Sequence, residues 1–333
     1  MIPAPTEQEP PGEVAAKTPA PVDSDASVRP PLSMLIACVL LLVCFGRTLL
    51  DLVRFAWNSN VYSHILLMPF ITGYLLFRTR TVWTFSRKAR FWPAAAPFLT
   101  GALLAMGYIS SANSGWIASA EDRLALLSLS AVCYFWSIAA AYLPAGELRR
   151  AAFPLALLVF LAPFPTAVLN GIEVFLQRQS AEVANLLFLV SGLPYLRDDL
   201  VFQLPGITLQ VAPECSGVRS TLALFITSLV GGYILLRAPL RRGILAAAVV
   251  PLALLRNGFR IFVIGQLCVQ IGPEMIHSPI HHHGGPLFFA LSLIPFLLLL
   301  LWLKFSERRH NPDPEGQGSE LEGAASAGKE RAE

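Results

Sequence analysis

Apolar residues in this chain come in blocks of about 15 to 25, the length at which a helix crosses the ~30 Å hydrocarbon core of a bilayer, and no other feature restricts the fold as strongly. The blocks run over Ser33–Phe55, a stretch ending near Phe77, Trp92–Ile109, Leu124–Tyr142, Ala151–Leu169, Val218–Leu236, Gly243–Ile271 and Pro286–Leu303. Hydrophobic residues make up 54% of the chain and charged ones 14%, against roughly 25% charged in a soluble domain. The expected fold is an all-α polytopic membrane protein with about eight transmembrane helices.

Basic residues orient these spans, because cytoplasmic loops carry an excess of Lys and Arg. Arg78, Arg80, Arg87, Lys88 and Arg90 follow the second block, and Arg149 and Arg150 the fourth. Arg237, Arg241 and Arg242 follow the sixth, and Lys304, Arg308 and Arg309 the eighth. All four groups fall on one side if Gly243–Ile271 is one long helix rather than two spans divided at Arg256 and Arg260. Both termini are then cytoplasmic. Residues 1–31 and 306–333 are polar and lack apolar periodicity, so they are expected to be disordered tails around a membrane domain at 32–305. Pro154, Pro163 and Pro165 should bend or break the fifth span toward its end.

Residues 170–215 do not span. Gly171–Val190 mixes Glu173, Gln177, Arg178, Glu182 and Asn185 with apolar residues at helical spacing, as an interfacial helix would. Ile207, Leu209 and Val211 alternate with Thr208 and Gln210, and Pro205-Gly206 suits a type II turn. A small β-hairpin should therefore precede the sixth span. It leads into VAPECSGVRS at 211–220, a polar stretch carrying a thiol. On the preferred topology this stretch, the outer end of the seventh helix and the segment His277–His283 share the outer face.

Cys215 lies just before a helix, where unpaired N–H groups and the positive end of the helix dipole favour a thiolate. Arg219 adds a nearby cation. Cys215 is thus a candidate nucleophile; a disulfide with Cys268 and an inert buried thiol are the alternatives. Arg256 and Arg260, at i and i+4, share a helix face on which Asn257 lies beside Arg260. An arginine at mid-membrane costs about 2.5 to 3.5 kcal/mol on insertion scales, so these residues should face the bundle interior. At ~1.5 Å per residue Arg260 stands about 26 Å above Gly243, near the outer boundary, where snorkelling to headgroups is the alternative. His281, His282 and His283 suit acid–base chemistry, with an imidazole pKa near ~6.5. A metal site there lacks a suitably spaced carboxylate or thiol, and a solvated surface cluster is the bland alternative. His64 beside Tyr62 falls on the same face, lining a site or resting among headgroups. No basic and aromatic groove points to nucleic acid, and five cysteines without a CxxC pair give no zinc module.

The Val211–Ser220 stretch, Asn257-Gly-Phe-Arg260, a His ahead of Gly-Gly and an apolar span, and Tyr62-Ser-His64 before Ile-Leu-Leu-Met-Pro together resemble the exosortase/archaeosortase family. The four motifs stand in the family's order, across about residues 33–305. Members are multi-pass membrane transpeptidases acting on C-terminal sorting signals of exported proteins, typically a Pro-Glu-Pro motif, an apolar helix and a basic tail. The resemblance implies Cys215 as nucleophile, Arg260 as oxyanion stabiliser and His281 as general acid and base. His281, Gly285 and Phe289 match the family's spacing, while the triple His leaves His282 and His283 open. Arg256, Asn257, Arg219 and His64 are expected to bind substrate, with no cofactor and no metal. The implied partners are signal-bearing exported proteins and the lipid bilayer, at a bacterial inner membrane with the site facing the periplasm. Two rivals stand beside this reading. One is a non-enzymatic component of polysaccharide export, or a transporter, in which Cys215 is incidental. The other is an intramembrane metalloprotease, sensitive to chelators and not to thiol alkylation.

Overall fold

The computed structural model describes residues 26–59, 61–79, 83–114, 119–212, 216–272, 274–275 and 285–310. They divide into two compact units, one over Met1–Asp51, Met68–Trp116 and Leu126–Ala162, the other over Leu52–Leu67, Ile117–Ala125 and Pro163–Glu333.

The first unit holds most of α1 (Leu32–Asn58), then α2 (Met68–Thr79), α3 (Phe91–Ser114), most of α4 (Ala120–Tyr142) and α5 (Ala145–Leu157). Two-residue strands β1 (Ala26–Ser27) and β2 (Phe85–Ser86) pair antiparallel. Apolar helices that pack in lipid gain little from hydrophobicity itself, so small residues and paired hydroxyls hold the contact. Ser130 Oγ donates to Gly101 O at 2.8 Å and Ser137 Oγ to Ala94 O at 3.0 Å, joining α4 to α3. Trp136 Nε1 donates to Leu155 O at 2.8 Å and ties α4 to α5. None of the expected site residues lies in this unit.

Among the described residues six helices are long and apolar enough to cross a membrane: Leu32–Asn58, Phe91–Ser111, Ala120–Tyr142, Val218–Leu235, Pro239–Gln270 and Gly285–Arg309. A seventh is available if Ala145–Leu161 and Thr166–Ser191, bent by 92° at the proline-rich break, count as one span. The polytopic all-α class therefore holds, with six or seven candidate spans where about eight were expected. The shortfall begins at the second block, which forms a 3-10 turn, Ser63–Leu67, and then the 12-residue α2. An α-helix of that length rises only about 18 Å, well under the ~30 Å core.

The second unit holds α6 (Thr166–Ser191), strands β3 (Leu196–Asp198), β4 (Val201–Leu204) and β5 (Ile207–Gln210), then α7 (Val218–Leu235), α8 (Pro239–Ala247), α9 (Val249–Gln270) and α10 (Gly285–His310). Pro165, just before α6, offers no capping side chain. Asp122 caps it from a distance: Thr166 N donates to Oδ1 at 2.6 Å and Thr166 Oγ1 to Oδ2 at 2.8 Å. Tyr62 O–H donates to Phe164 O at 3.3 Å across the same break. Burial and then the charge of Glu121 push the Tyr62 phenol up to about 12, so it stays a donor at neutral pH.

The expected hairpin forms. Phe202 pairs with Leu209 and Leu204 with Ile207 across a turn in which Gly206 has φ +83°, the sign type II geometry needs at that position. Phe202, Leu204, Leu209 and Val211 face inward while Gln203, Thr208 and Gln210 face out. A third strand, β3, adds to β4. Its residues Leu196, Arg197 and Asp198 carry no clear alternation; backbone pairing makes the strand.

Glycines let α9 sit close to α6. A Cβ at Gly258 would stand 2.5 Å from Val183 Cγ1 and 3.0 Å from Ser180 O, and one at Gly265 2.6 Å from the Phe188 ring. Pro239–Gln270 is a single candidate span of 32 residues, as the charge distribution required. Its short break at Ala248 fits Pro251, which has no N–H to give the carbonyl of Ala247. At the C-terminal ends of α7 and α10, the Glu307 carboxylate accepts from Arg237 N at 3.0 Å and Ala238 N at 2.6 Å. Arg241 Nη1 donates to Leu303 O at 2.6 Å beside it.

Candidate active site

Cys215, His281, His282 and His283 lie outside the described residues, as do the tail segments 1–25 and 311–333. Their near neighbours Ser216, Gly217 and Gly285 are described.

Helix α7 begins at Gly217, which serves as N-cap with φ 70° and ψ 21°. That left-handed conformation favours glycine, and the space allows nothing else, since a Cβ there would overlap the carboxamide of Asn257, with Cγ 2.8 Å away. Gly217 O accepts from Thr221 N at 2.9 Å, Thr221 Oγ1 at 2.8 Å and Ser220 Oγ at 3.0 Å. The first turn of α7 thus closes on this one carbonyl.

Helix α9 supplies the residues that meet it. Asn257 is 3% exposed and Arg256 8%. Asn257 Nδ2 donates to Ser216 O at 2.5 Å. Arg256 donates to Asn257 Oδ1 through Nε at 3.1 Å and Nη2 at 3.0 Å. Arg256 Nη2 also reaches Thr221 Oγ1 at 3.3 Å and Gly217 O at 3.4 Å. Its Nη1 is buried with no hydrogen-bond partner among the described residues.

One turn further along α9, Arg260 lines a cavity of about 470 Å³ together with Gly217, Arg219, Ser220, Gly285 and Phe289. The cavity joins the start of α7, the C-terminal half of α9 and the start of α10. Gly217, two residues after Cys215, and Gly285, two residues after His283, therefore stand on one cavity with two arginines. A polarised carbonyl or a developing oxyanion placed there would meet positive charge and the N-terminal end of a helix.

Four of the expected site residues are thus brought to one place in two layers: Arg219 and Arg260 at the cavity, Arg256 and Asn257 behind the Ser216–Gly217 peptide. His64 is elsewhere in its surroundings. It sits in the 3-10 turn with Nδ1 3.4 Å from Val61 O and its ring 6.2 Å from that of Tyr62, and it is not among the residues lining the cavity. Cys268 is a free thiol, 2% exposed, within an apolar cluster that includes Phe188, Phe202 and Leu209. One contact had no sequence signal of its own: Gln177 Nε2 donates to Val211 O at 2.5 Å and ties α6 to the strand end that leads into residues 213–215.

A family model described as Transmembrane exosortase (Exosortase_EpsH) matches residues 56–298. Neither a curated protein nor a solved structure matches the chain.

Proposed function

The chain belongs to the transmembrane exosortase family, and from that premise we propose that it is a cysteine transpeptidase cleaving C-terminal sorting signals of exported proteins. The signals are of the Pro-Glu-Pro type and are met at the outer face of a bacterial inner membrane. The observation that carries this reading is the cavity on which Arg260, Gly217 and Gly285 meet. Successive Cα atoms are about 3.8 Å apart, so Cys215 is tethered within about 7.6 Å of Gly217, and His283 equally close to Gly285. His281 is preferred among the three because its spacing to Gly285 and Phe289 is the one the family resemblance implies.

In the proposed reaction the Cys215 thiolate attacks the carbonyl carbon at the signal and forms a C–S bond. Arg260 donates to the oxygen as it takes up negative charge, a contribution of about 2.7 to 4 kcal/mol for a single donor. The C–N bond breaks as His281 gives a proton to the departing amine, leaving a thioester. His281 then takes a proton from the acceptor, whose attack breaks the C–S bond and restores the thiolate. A substrate held by its own C-terminal helix presents its signal at this boundary.

The test is processing of a signal-bearing substrate by membranes containing Cys215→Ala, Arg260→Ala and His281→Ala. Each variant should insert normally and stop processing. Processing by Cys215→Ala at the parental rate removes the nucleophile and with it this mechanism. Tolerance of Cys215→Ser would favour a transporter, and loss of activity to chelators with resistance to alkylation a metalloprotease.

A further inference from the structure

Resting on that reading, we propose that Asn257 is a positioning residue for the nucleophile: clamped by Arg256, its carboxamide fixes the Ser216–Gly217 peptide, the backbone to which Cys215 is directly joined. This differs from the substrate-binding role its sequence position suggests.

The carboxamide has only one workable orientation. Both Arg256 donors, Nε at 3.1 Å and Nη2 at 3.0 Å, converge on Oδ1. A guanidinium has donors and no acceptor, so a flipped amide would set donor against donor. Nδ2 must then be the end that faces Ser216 O, at 2.5 Å. A peptide group is planar, so holding the carbonyl of Ser216 sets the plane that joins it to Gly217. Arg256 grips the next carbonyl as well, reaching Gly217 O at 3.4 Å and Thr221 Oγ1 at 3.3 Å. Two successive carbonyls directly after Cys215 are thus held by two adjacent side chains of α9.

Nothing in this clamp is free to drift. Asn257 is 3% exposed and Arg256 8%, and the left-handed Gly217 has no room for a side chain against Asn257. Gly258, the next residue, is pressed against Val183 and Ser180 of α6, so the clamp is anchored to a third helix. The arrangement also explains why a guanidinium is tolerated in an apolar helix. Its acceptors are Asn257, Gly217 and Thr221, all neutral, and among the described residues it has no carboxylate partner.

The experiment uses the full chain in native membranes and measures kcat and KM for release of a sorting signal, with the melting temperature as control. Asn257→Asp is the informative change: it keeps an acceptor for Arg256 but turns an oxygen toward Ser216 O. The expected result is kcat lower by about 10²-fold, the scale of a misplacement near 1 Å, with KM within about twofold of the parent. If Asn257→Asp retains parental kcat while Cys215→Ala is inactive, the positioning role is wrong and the peptidase reading stands. A raised KM at parental kcat would make Asn257 a substrate-binding residue and equally overturn the proposal. If Cys215→Ala is itself active, the peptidase reading and this inference fall together. Should Asn257→Asp fail to accumulate, Thr221→Val decides. It removes one acceptor of Arg256 together with the hydroxyl that donates to Gly217 O, and should lower kcat about threefold at constant KM; unchanged kcat refutes the clamp.

Discussion

The two ends of the second unit treat positive charge in opposite ways. Where α7 and α10 finish, Glu307 accepts from the backbone of Arg237 and Ala238, Arg241 is bonded to Leu303 O, and Arg242 lies 5.1 Å over the ring of Tyr233. Charge there is anchored, and it fastens two helix ends to one turn. Where α7 and α10 begin, Arg219 and Arg260 line a cavity and Arg256 is bonded to neutral acceptors. One end uses its charges to hold structure; the other sets two arginines on a cavity. Preorganised positive charge of this kind accelerates a reaction only if its cost is met elsewhere in the fold. Close packing of α9 on α6 at Gly258 and Gly265 fixes the helix that carries Arg256 and Arg260.

The contrast can be broken most sharply at the cavity. Arg260→Ala should lower kcat by about 10² to 10³-fold, as removal of one oxyanion donor does, with protein levels and melting temperature near parental. Initial rates of signal release in isolated membranes would reveal it, and a change in KM alone would move Arg260 from chemistry to binding. The support behind the cavity is the next target. Gly258→Val drives a branched side chain into Val183 and should cost about 1 to 3 kcal/mol as overpacking. It would appear as a lower thermal midpoint in detergent, together with reduced activity because α9 carries Arg256, Asn257 and Arg260.

At the opposite end, Glu307→Gln should cost about 1 kcal/mol, since an amide oxygen is a weaker acceptor for two backbone N–H groups, and leave kcat unchanged. A fall in kcat there would show that the two ends are coupled, contrary to the division drawn above. The smallest effect belongs to the sheet. Arg197→Ala removes the exposed pair with Glu182, at 2.6 Å, and the contact over Phe202; a loss of about 0.5 kcal/mol is expected, shrinking as salt is added. Denaturation at two salt concentrations would separate that from a packing role.

Much of this molecule is legible from sequence because a membrane is a strict solvent. Apolar block length predicted most of the spans, the arginine groups predicted one span over Gly243–Ile271 where Pro239–Gln270 is found, and the alternation from Ile207 to Val211 predicted the hairpin. The prolines at 163 and 165 marked the break that is bent by 92°. Block length misled at the second block: it cannot tell a spanning helix from a 3-10 turn followed by a short helix.

The sequence by itself determined the class and the number of spans to within one or two. Periodicity, turn chemistry and charge bias are local properties, and each is written in consecutive residues. Only the tertiary structure decided how Arg256, Asn257 and Arg260 divide their work. Helical spacing places Arg256 and Arg260 on one face, yet Arg256 turns to the carbonyl of Gly217 and Arg260 to the cavity. Which acceptor each finds depends on how closely α9 approaches α7 and α6, and that distance is set by glycines whose neighbours are remote in sequence.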